Sequence, residues 1–278
     1  MTRRSHLPEY LMEAFGLGLF LMSAGGFATL LWAEDSPVRA AVPGDLARRA
    51  LMGVAMGLTA VVNIYSPWGR RSGSHLNPAT TLTFWRLGKV SGRDAAFYVA
   101  AQFVGGTLGA ASAYTLLGHR FLRPPVTAVV TAPGQHGVSV AFLAELTITF
   151  ALILVVLAVN NSHRFARYTG FVVGAMVAVY ITIEAPLSGM SMNPARSFAS
   201  AAVSGNWDHL WVYFVAPPLG MLSAAQVFVW WHGRRAVRCA KMDHDGRFRC
   251  IFCEHQAKQV SAATATPAPT PHEVHHVA

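Results

Sequence analysis

The sequence predicts an all-α membrane protein in which six transmembrane helices and two re-entrant half-helices form an inverted repeat. Two observations lead to this fold class. The 278-residue chain is 53% hydrophobic and only 13% charged, and its charges avoid the long apolar tracts, as in integral membrane proteins. One short polar motif also occurs twice, at matching places between those tracts. The net charge of +9 therefore indicates orientation in a membrane rather than nucleic-acid binding.

Six apolar segments define the predicted transmembrane helices. They cover residues 10–32, 50–65, 95–117, 138–159, 168–183 and 210–231. Spanning takes about 20 apolar residues, so the second and fifth segments, at roughly 16, are short. Short spans at corresponding positions of two halves indicate an inverted repeat with its site at the midplane of the membrane. Six ordinary helices joined by two polar loops are the alternative interpretation.

The repeated motif follows each of the two short segments. Residues 72–79 read Ser-Gly-Ser-His-Leu-Asn-Pro-Ala, and residues 188–195 read Ser-Gly-Met-Ser-Met-Asn-Pro-Ala. An asparagine oxygen can cap the first free N–H groups of a helix, and proline fits the first helical position. Each motif is therefore predicted to start a helix, with the asparagine amide left over as a donor. The motif residues are Asn77, Pro78, Ala79, Asn193, Pro194 and Ala195.

The apolar stretches that follow the motifs are too short to cross a membrane. They last about eight to ten residues, which is half a bilayer at 1.5 Å per residue. Two half-helices that enter from opposite faces would bring their N-termini together near the centre. Irregular backbone at that depth must be buried or line water, so the loops are expected to line a pore. The positive helix ends at its midpoint would repel cations, including hydronium.

With these motifs, the chain resembles the aquaporin (major intrinsic protein) family from Glu13 to Trp231. The resemblance implies a homotetramer with one pore per subunit and no cofactor. It sets the domain boundaries at 1–9 for an N-terminal segment, 10–232 for the channel, with halves of about 10–117 and 138–232, and 233–278 for a tail. It also implies that Glu13 and Glu145, each the only acid within its apolar segment, hold the two motif loops by hydrogen bonds.

The resemblance further implies a selectivity filter at the outer mouth of the pore. Aligned positions are Met56, Ile181, Met190 and Arg196. Water-selective members place a histidine and an aromatic residue at these positions. Glycerol-conducting members usually have aspartate after Asn-Pro-Ala-Arg, where this chain has Ser197. The filter therefore matches neither type, and its two methionines predict a loose, apolar constriction.

The positive charges predict the topology. With six spans, both termini fall on one side, together with sixteen Lys and Arg residues; five lie on the other side and Arg196 belongs to the motif. The positive-inside rule therefore places both termini in the cytoplasm of a multi-pass protein of the cell membrane.

The tail carries a second possible site. Cys239, His244, Cys250 and Cys253 include a Cys-x₂-Cys pair and could form a tetrahedral zinc site. Reduced thiols on a basic tail are the alternative, and no metal is assigned. Because the tail lies outside the spans, it is expected to be dispensable for transport. Residues 261–270, rich in Ala, Thr and Pro, are predicted to be disordered.

These features predict a passive channel for water and other small uncharged solutes in a lipid bilayer, which excludes protons and ions. A facilitator of glycerol and similar solutes with little preference for water is an alternative. An ion-coupled secondary transporter is another, but it would need ionisable groups at the site. An adhesive member of the family with little transport is a third. An enzyme is not expected, because the segments contain no nucleophile–base set and no metal cluster.

Overall fold

The computed structural model describes residues 5–264 of the chain, and six long helices make up most of this part. Two half-length helices lie between them. In chain order the long and half-length helices are α1 (Leu7–Trp32), α2 (Asp45–Tyr65), α3 (Pro78–Arg86), α4 (Gly92–Leu117), α5 (Val138–Asn160), α6 (Thr169–Ile183), α7 (Pro194–Ser204) and α8 (Leu210–His232). The tail ends in α9 (Ile251–Thr264).

Short helical turns join these elements. Four are α-helical: Pro37–Ala41, Pro67–Ser72, His119–Leu122 and Ala185–Ser188. Three are 3₁₀ turns: Thr127–Val129, Ala166–Tyr168 and Arg234–Ala236. The half-helices α3 and α7, at 9 and 11 residues, are too short to span a bilayer, as the sequence predicts.

The helix bounds correct one expectation from the sequence. The second span is 21 residues long, from Asp45 to Tyr65, and is not short. Its first turn is charged: Arg48 is paired to Asp45, and Arg49 donates to the carbonyl of Thr182. Because these residues interrupt the apolar pattern, the apolar segment in the sequence begins later than the helix. The fifth span is short, at 15 residues from Thr169 to Ile183.

Five of the six long helices of the described part are long and apolar enough to cross a membrane. The exception is α4, which has 26 residues but many glycine, alanine and polar side chains. These small residues have a structural role. A side chain at Gly105 would collide with the backbone of Ala14 on α1, so the close contact between α1 and α4 depends on glycine. Such close approach is typical of helices packed in membranes.

Helix packing follows the two-fold pattern of an inverted repeat. The pair α1 and α4 in the first half corresponds to α5 and α8 in the second, and α2 packs against α6 across the boundary. Each half-helix packs on the last helix of the other half, α3 on α8 and α7 on α4. The two halves therefore interlock, and the N-termini of α3 and α7 meet between them.

The described ends of the chain lie at the same face of the helix bundle, called the terminal face here. At this face His6 and Tyr10 of the N-terminal region bond Asp94 at the start of α4. Arg70, in the turn before the first motif, pairs with Asp243 of the tail. The opposite, distal face carries the connections 33–44, 118–137 and 205–209. Residues 261–264 form the end of α9, and the rest of the stretch expected to be disordered lies outside the described residues.

Candidate functional site

The two asparagines cap the half-helices in the way the sequence predicts. The side-chain oxygen of Asn77 accepts a hydrogen bond from the backbone N–H of Ala79 at 2.9 Å. That of Asn193 accepts from the N–H groups of Ala195 and Arg196 at 3.0 and 3.2 Å. Pro78 and Pro194 occupy the first helical positions. The caps thus fix both helix starts at the motif.

The side-chain amides of these asparagines connect the two motif loops. The Nδ2 of Asn77 donates to the carbonyl of Met192, and the Nδ2 of Asn193 donates to the carbonyl of Leu76, each at 2.7 Å. An amide carries two N–H donors, so each asparagine retains one for a molecule in the cavity, which both residues line.

The carboxylate of Glu13 holds the first motif loop. Its oxygens accept hydrogen bonds from the hydroxyl of Ser72 (2.8 Å) and the backbone N–H groups of His75 (3.1 Å) and Leu76 (2.7 Å). The amide of Gln102 adds a fourth, at 2.9 Å. Glu13 is fully buried, and a buried carboxylate is stable only with such partners. This geometry supports the loop-holding role that the resemblance implies.

Glu145 holds the second loop with the same kinds of donor. It accepts from the hydroxyl of Ser188 (2.7 Å) and from the backbone N–H groups of Ser191 (2.6 Å) and Met192 (2.7 Å). Where the first half has Gln102, the second half has Pro217 on α8. Glu145 therefore has three donors where Glu13 has four.

Sequence reasoning missed a pair of tyrosines that fix the start of each loop. Tyr98 donates to the carbonyl of Ser72 and Tyr213 donates to the carbonyl of Ser188, each at 2.6 Å. Both tyrosines are fully buried. They are 115 positions apart, close to the 116 that separate Asn77 from Asn193. This matching separation is the sequence signal that could have identified the tyrosine pair as part of the repeat.

The loop backbones share an unusual conformation. Positive φ angles occur in the first loop at Gly73, Ser74 and Leu76, and in the second at the corresponding Gly189, Met190 and Met192. Such angles are uncommon for residues other than glycine. They persist because the carboxylate, tyrosine and cross-loop hydrogen bonds over-determine the loops.

A single cavity of about 620 Å³ connects these features. Both asparagines line it, as do four residues expected at the filter: Met56, Ile181, Met190 and Arg196. Its distal end is lined by Trp32 and Arg49, and its terminal end includes Met242 of the tail. The walls between are mainly aliphatic side chains of α1, α2, α5 and α6.

Met56 is the residue of its helical turn in α2 that faces the cavity. The neighbouring residue, Gly57, lies against the backbone of Gly174 on α6 and leaves Met56 to line the cavity. Arg196 is held by its Nη1, which donates to the carbonyl of Val129 at 2.7 Å. The four residues expected at the filter thus line one cavity, and Arg196 is held by the connection between the halves.

The two motif loops are covered by different segments. In the first loop the ring of His75 donates from Nε2 to the carbonyl of Ala240 in the tail (2.8 Å), and it stacks on Phe252 at 5.4 Å. At the corresponding place in the second loop, Ser191 bonds Ser197, which lies 2.7 Å from the hydroxyl of Thr131. The tail therefore reaches the pore loop, which the sequence did not indicate.

The four metal-ligand candidates of the tail come together in the structure. One ligand atom from each of Cys239, His244, Cys250 and Cys253 lies within 4.8 Å of all the others. Hydrogen bonding among the three thiols lowers the pKa of Cys250 and Cys253 and raises the pKa of Cys239. This cluster is separate from the cavity.

Comparisons with known proteins agree with the geometry. A family model described as Major intrinsic protein matches residues 1–228. Aquaporin NIP1-1 of Zea mays is 33% identical over 224 residues, which are 80% of this chain and 74% of that protein. Glycerol uptake facilitator protein-like 6 of Lactiplantibacillus plantarum is 32% identical over 222 residues, 79% of this chain and 95% of that protein.

The fold also matches a solved structure. The X-ray structure of the aquaglyceroporin from Plasmodium falciparum superposes with a TM-score of 0.68 and 24% sequence identity. The match covers 81% of this chain and 96% of that one. The part of this chain beyond residue 228 lies outside the family model.

Proposed function

This chain belongs to the major intrinsic protein family, whose members are passive membrane channels and not enzymes, and we propose that its pore conducts water together with small uncharged solutes of the size of glycerol or urea. It is a multi-pass membrane protein. The cavity that contains both asparagines and Arg196 is the observation that carries the proposal.

The chemistry of the cavity supports neutral solutes. Where the two half-helices start, the spare N–H groups of Asn77 and Asn193 are available to a solute, and Arg196 also lines the cavity. Aliphatic side chains line much of the remainder. The carboxylates of Glu13 and Glu145 are occupied by loop hydrogen bonds and give no relay for protons or binding site for cations. The positive ends of α3 and α7 oppose cations at the midpoint.

The selectivity filter is proposed to consist of Met56, Ile181, Met190 and Arg196. Ile181 cannot donate a hydrogen bond, and methionine side chains adapt their shape. A solute at the filter would therefore contact the guanidinium of Arg196 and an apolar wall whose side chains can change shape. Such a wall discriminates poorly between water and slightly larger neutral molecules.

A facilitator with little preference for water is the second candidate. The similarity to a glycerol uptake facilitator-like protein along 95% of its length favours it, as does the apolar filter. The two candidates differ in the ratio of glycerol to water permeability.

Two finer features remain proposals from the sequence. We propose that the terminal face is cytoplasmic in the cell membrane, because sixteen Lys and Arg residues are assigned to that side and five to the other. A protease added outside intact cells should then leave residues 240–264 uncut. We also propose a homotetramer, as the family resemblance implies, which native mass spectrometry in detergent would test.

Stopped-flow light scattering of liposomes that contain the purified protein tests the function. Rapid shrinkage under an impermeant osmolyte measures water flux, and re-swelling under glycerol or urea measures solute flux. Both should exceed the rates of empty liposomes, without a proton current. Rapid water flux with glycerol and urea excluded would contradict the loose filter. Flux of none of these molecules would contradict the proposed function.

A further inference from the structure

The thiol and imidazole groups of the tail have the spacing of a zinc coordination shell. The Sγ of Cys239 lies 3.5 Å from that of Cys250 and 3.7 Å from that of Cys253, and the Sγ of Cys253 lies 3.3 Å from the Nε2 of His244. With Zn–S near 2.3 Å and Zn–N near 2.0 Å, the edges of a tetrahedral site are about 3.8 Å between sulfurs and about 3.5 Å between sulfur and nitrogen. The three distances in the structure fit these edges.

The surroundings of the cluster suit a metal with three thiolates. Three thiolates, one neutral histidine and Zn²⁺ leave one net negative charge. Two lysines lie beside the cluster and can offset this charge. The Nζ of Lys241 donates to the carbonyl of Arg249, next to Cys250, at 3.1 Å, and the Nζ of Lys89 donates to the side-chain oxygen of Gln256, three residues after Cys253, at 3.4 Å. Cys239 is buried and His244 is exposed, which gives an ion a protected site with a route from solvent.

The residues between the ligands make the contacts that cover the first pore loop. In the tail segment, defined as residues 237–252, the backbone N–H of Met242 donates to the carbonyl of Gly73 at 3.1 Å. The carbonyl of Ala240 accepts from His75. Phe252 is fully buried against the ring of His75, and Met242 lines the terminal end of the cavity. The segment thus closes over the pore loop.

The ligand positions would tie this segment at both ends. Cys239 and His244 flank Ala240 and Met242, while Cys250 and Cys253 flank Phe252. An ion bound to all four side chains would join the two contact regions into one closed loop. A cross-link of this kind reduces the conformational freedom of the detached segment and so favours the attached state.

We propose that Cys239, His244, Cys250 and Cys253 bind one Zn²⁺ ion, and that this ion holds the tail segment over the terminal mouth of the pore. The metal-loaded channel then conducts less than the metal-free channel. The metal site stands independently of transport. The effect on conductance rests on the proposed channel function.

Metal content tests the site without a transport measurement. The full chain, purified without chelator and dialysed with Zn²⁺, should contain about one zinc per chain by elemental analysis. Titration with Co²⁺ should give the visible absorption of a tetrahedral thiolate site. Cys253→Ser and His244→Ala should each lower zinc affinity by more than about 100-fold, while the matched control His255→Ala, also in the tail, should retain it. Zinc absent from the unaltered chain, or a Cys–Cys disulfide in its place, would overturn the proposal.

Water permeability in liposomes tests the effect of the ion. Removal of zinc with a strong chelator should raise the water permeability of the unaltered chain by about tenfold. This value corresponds to a zinc-loaded pore that is mostly closed and to a zinc affinity about tenfold higher for the covering arrangement of the tail segment than for the detached one. Added Zn²⁺ should reverse the rise. Cys253→Ser should be fast with or without chelator, and His255→Ala should behave like the unaltered chain. Bound zinc with unchanged permeability would overturn the gating part. A chain with zinc but no flux in any form would instead contradict the channel function.

Discussion

The two pore loops share one internal frame but differ in what covers them. Each has a buried glutamate that binds its backbone N–H groups, a buried tyrosine that binds its first carbonyl, and an asparagine that caps its half-helix and bonds the other loop. The first loop is covered by the tail segment at His75, and the second by residues 129–134 at Ser197, Arg196 and Leu187. The frame is therefore common to both halves, whereas access to the pore is arranged separately at each face.

The largest expected effect comes from removing the frame itself. Glu13→Ala would remove the acceptor of four hydrogen bonds and Glu145→Ala that of three, at about 1–3 kcal/mol for each donor left unpaired; Gln102 keeps its bond to the hydroxyl of Thr81. We expect both variants to lose water permeability and to melt at lower temperature in detergent, with the larger drop for Glu13→Ala. Thermal melting followed by tryptophan fluorescence measures this. Equal drops would show that Gln102 does not strengthen the first loop.

The next effect concerns selectivity at the distal mouth. Ile181→His together with Met56→Phe would add a hydrogen-bond donor and fill the adaptable wall. We expect glycerol and urea permeability to fall by about tenfold or more, because the narrower opening hinders the larger solutes, while water permeability falls much less. A tenfold fall corresponds to about 1.4 kcal/mol. Stopped-flow measurements on the same liposomes give both values. The matched control Met52→Leu, beside the filter on the cavity wall, should change neither. Parallel losses of all three permeabilities would contradict the assignment of these filter residues.

A third effect tests the cover of the first loop. A chain that ends after Arg235 lacks the tail segment, and we expect it to fold and to conduct water faster than the full chain, because Met242 no longer lines the terminal end of the cavity. A chain that ends after Thr264 keeps every described tail contact and serves as the control. A folded truncation with slower water flux would show that the tail supports the pore and does not cover it. The expected rise in water flux differs from the sequence-based prediction that the tail is dispensable for transport.

The smallest effect is expected at the cover of the second loop. Thr131→Val removes the hydroxyl that lies 2.7 Å from Ser197 but keeps the side-chain shape, and Ser197 retains its bond with Ser191. We expect a loss of stability of about 1 kcal/mol with unchanged permeability. Thermal melting and stopped-flow flux check the two parts. A rise in flux as large as that of the tail truncation would mean that both loops are gated alike.

The sequence by itself determined the features that depend on local chemistry or on the repeat. Capping by Asn77 and Asn193 acts over two or three residues, so the Asn-Pro-Ala pattern was enough to predict it. The isolated acids Glu13 and Glu145 stood out because a carboxylate in an apolar segment needs partners. The length of the apolar runs predicted α3 and α7 as half-helices. The same criterion gave the wrong start for α2, because the charged first turn of that helix interrupts the apolar run.

Only the tertiary structure decided which distant groups meet. The asparagine amides donate to the opposite loop more than a hundred positions away, and Tyr98 and Tyr213 bind loop carbonyls that no local pattern singles out. The tail segment meets His75 across 165 positions, and its four ligand candidates converge only because the chain folds back on itself there. Such contacts depend on the mutual placement of helices and loops, because hydrogen bonds at 2.7–3.2 Å require positions that residue spacing alone does not fix.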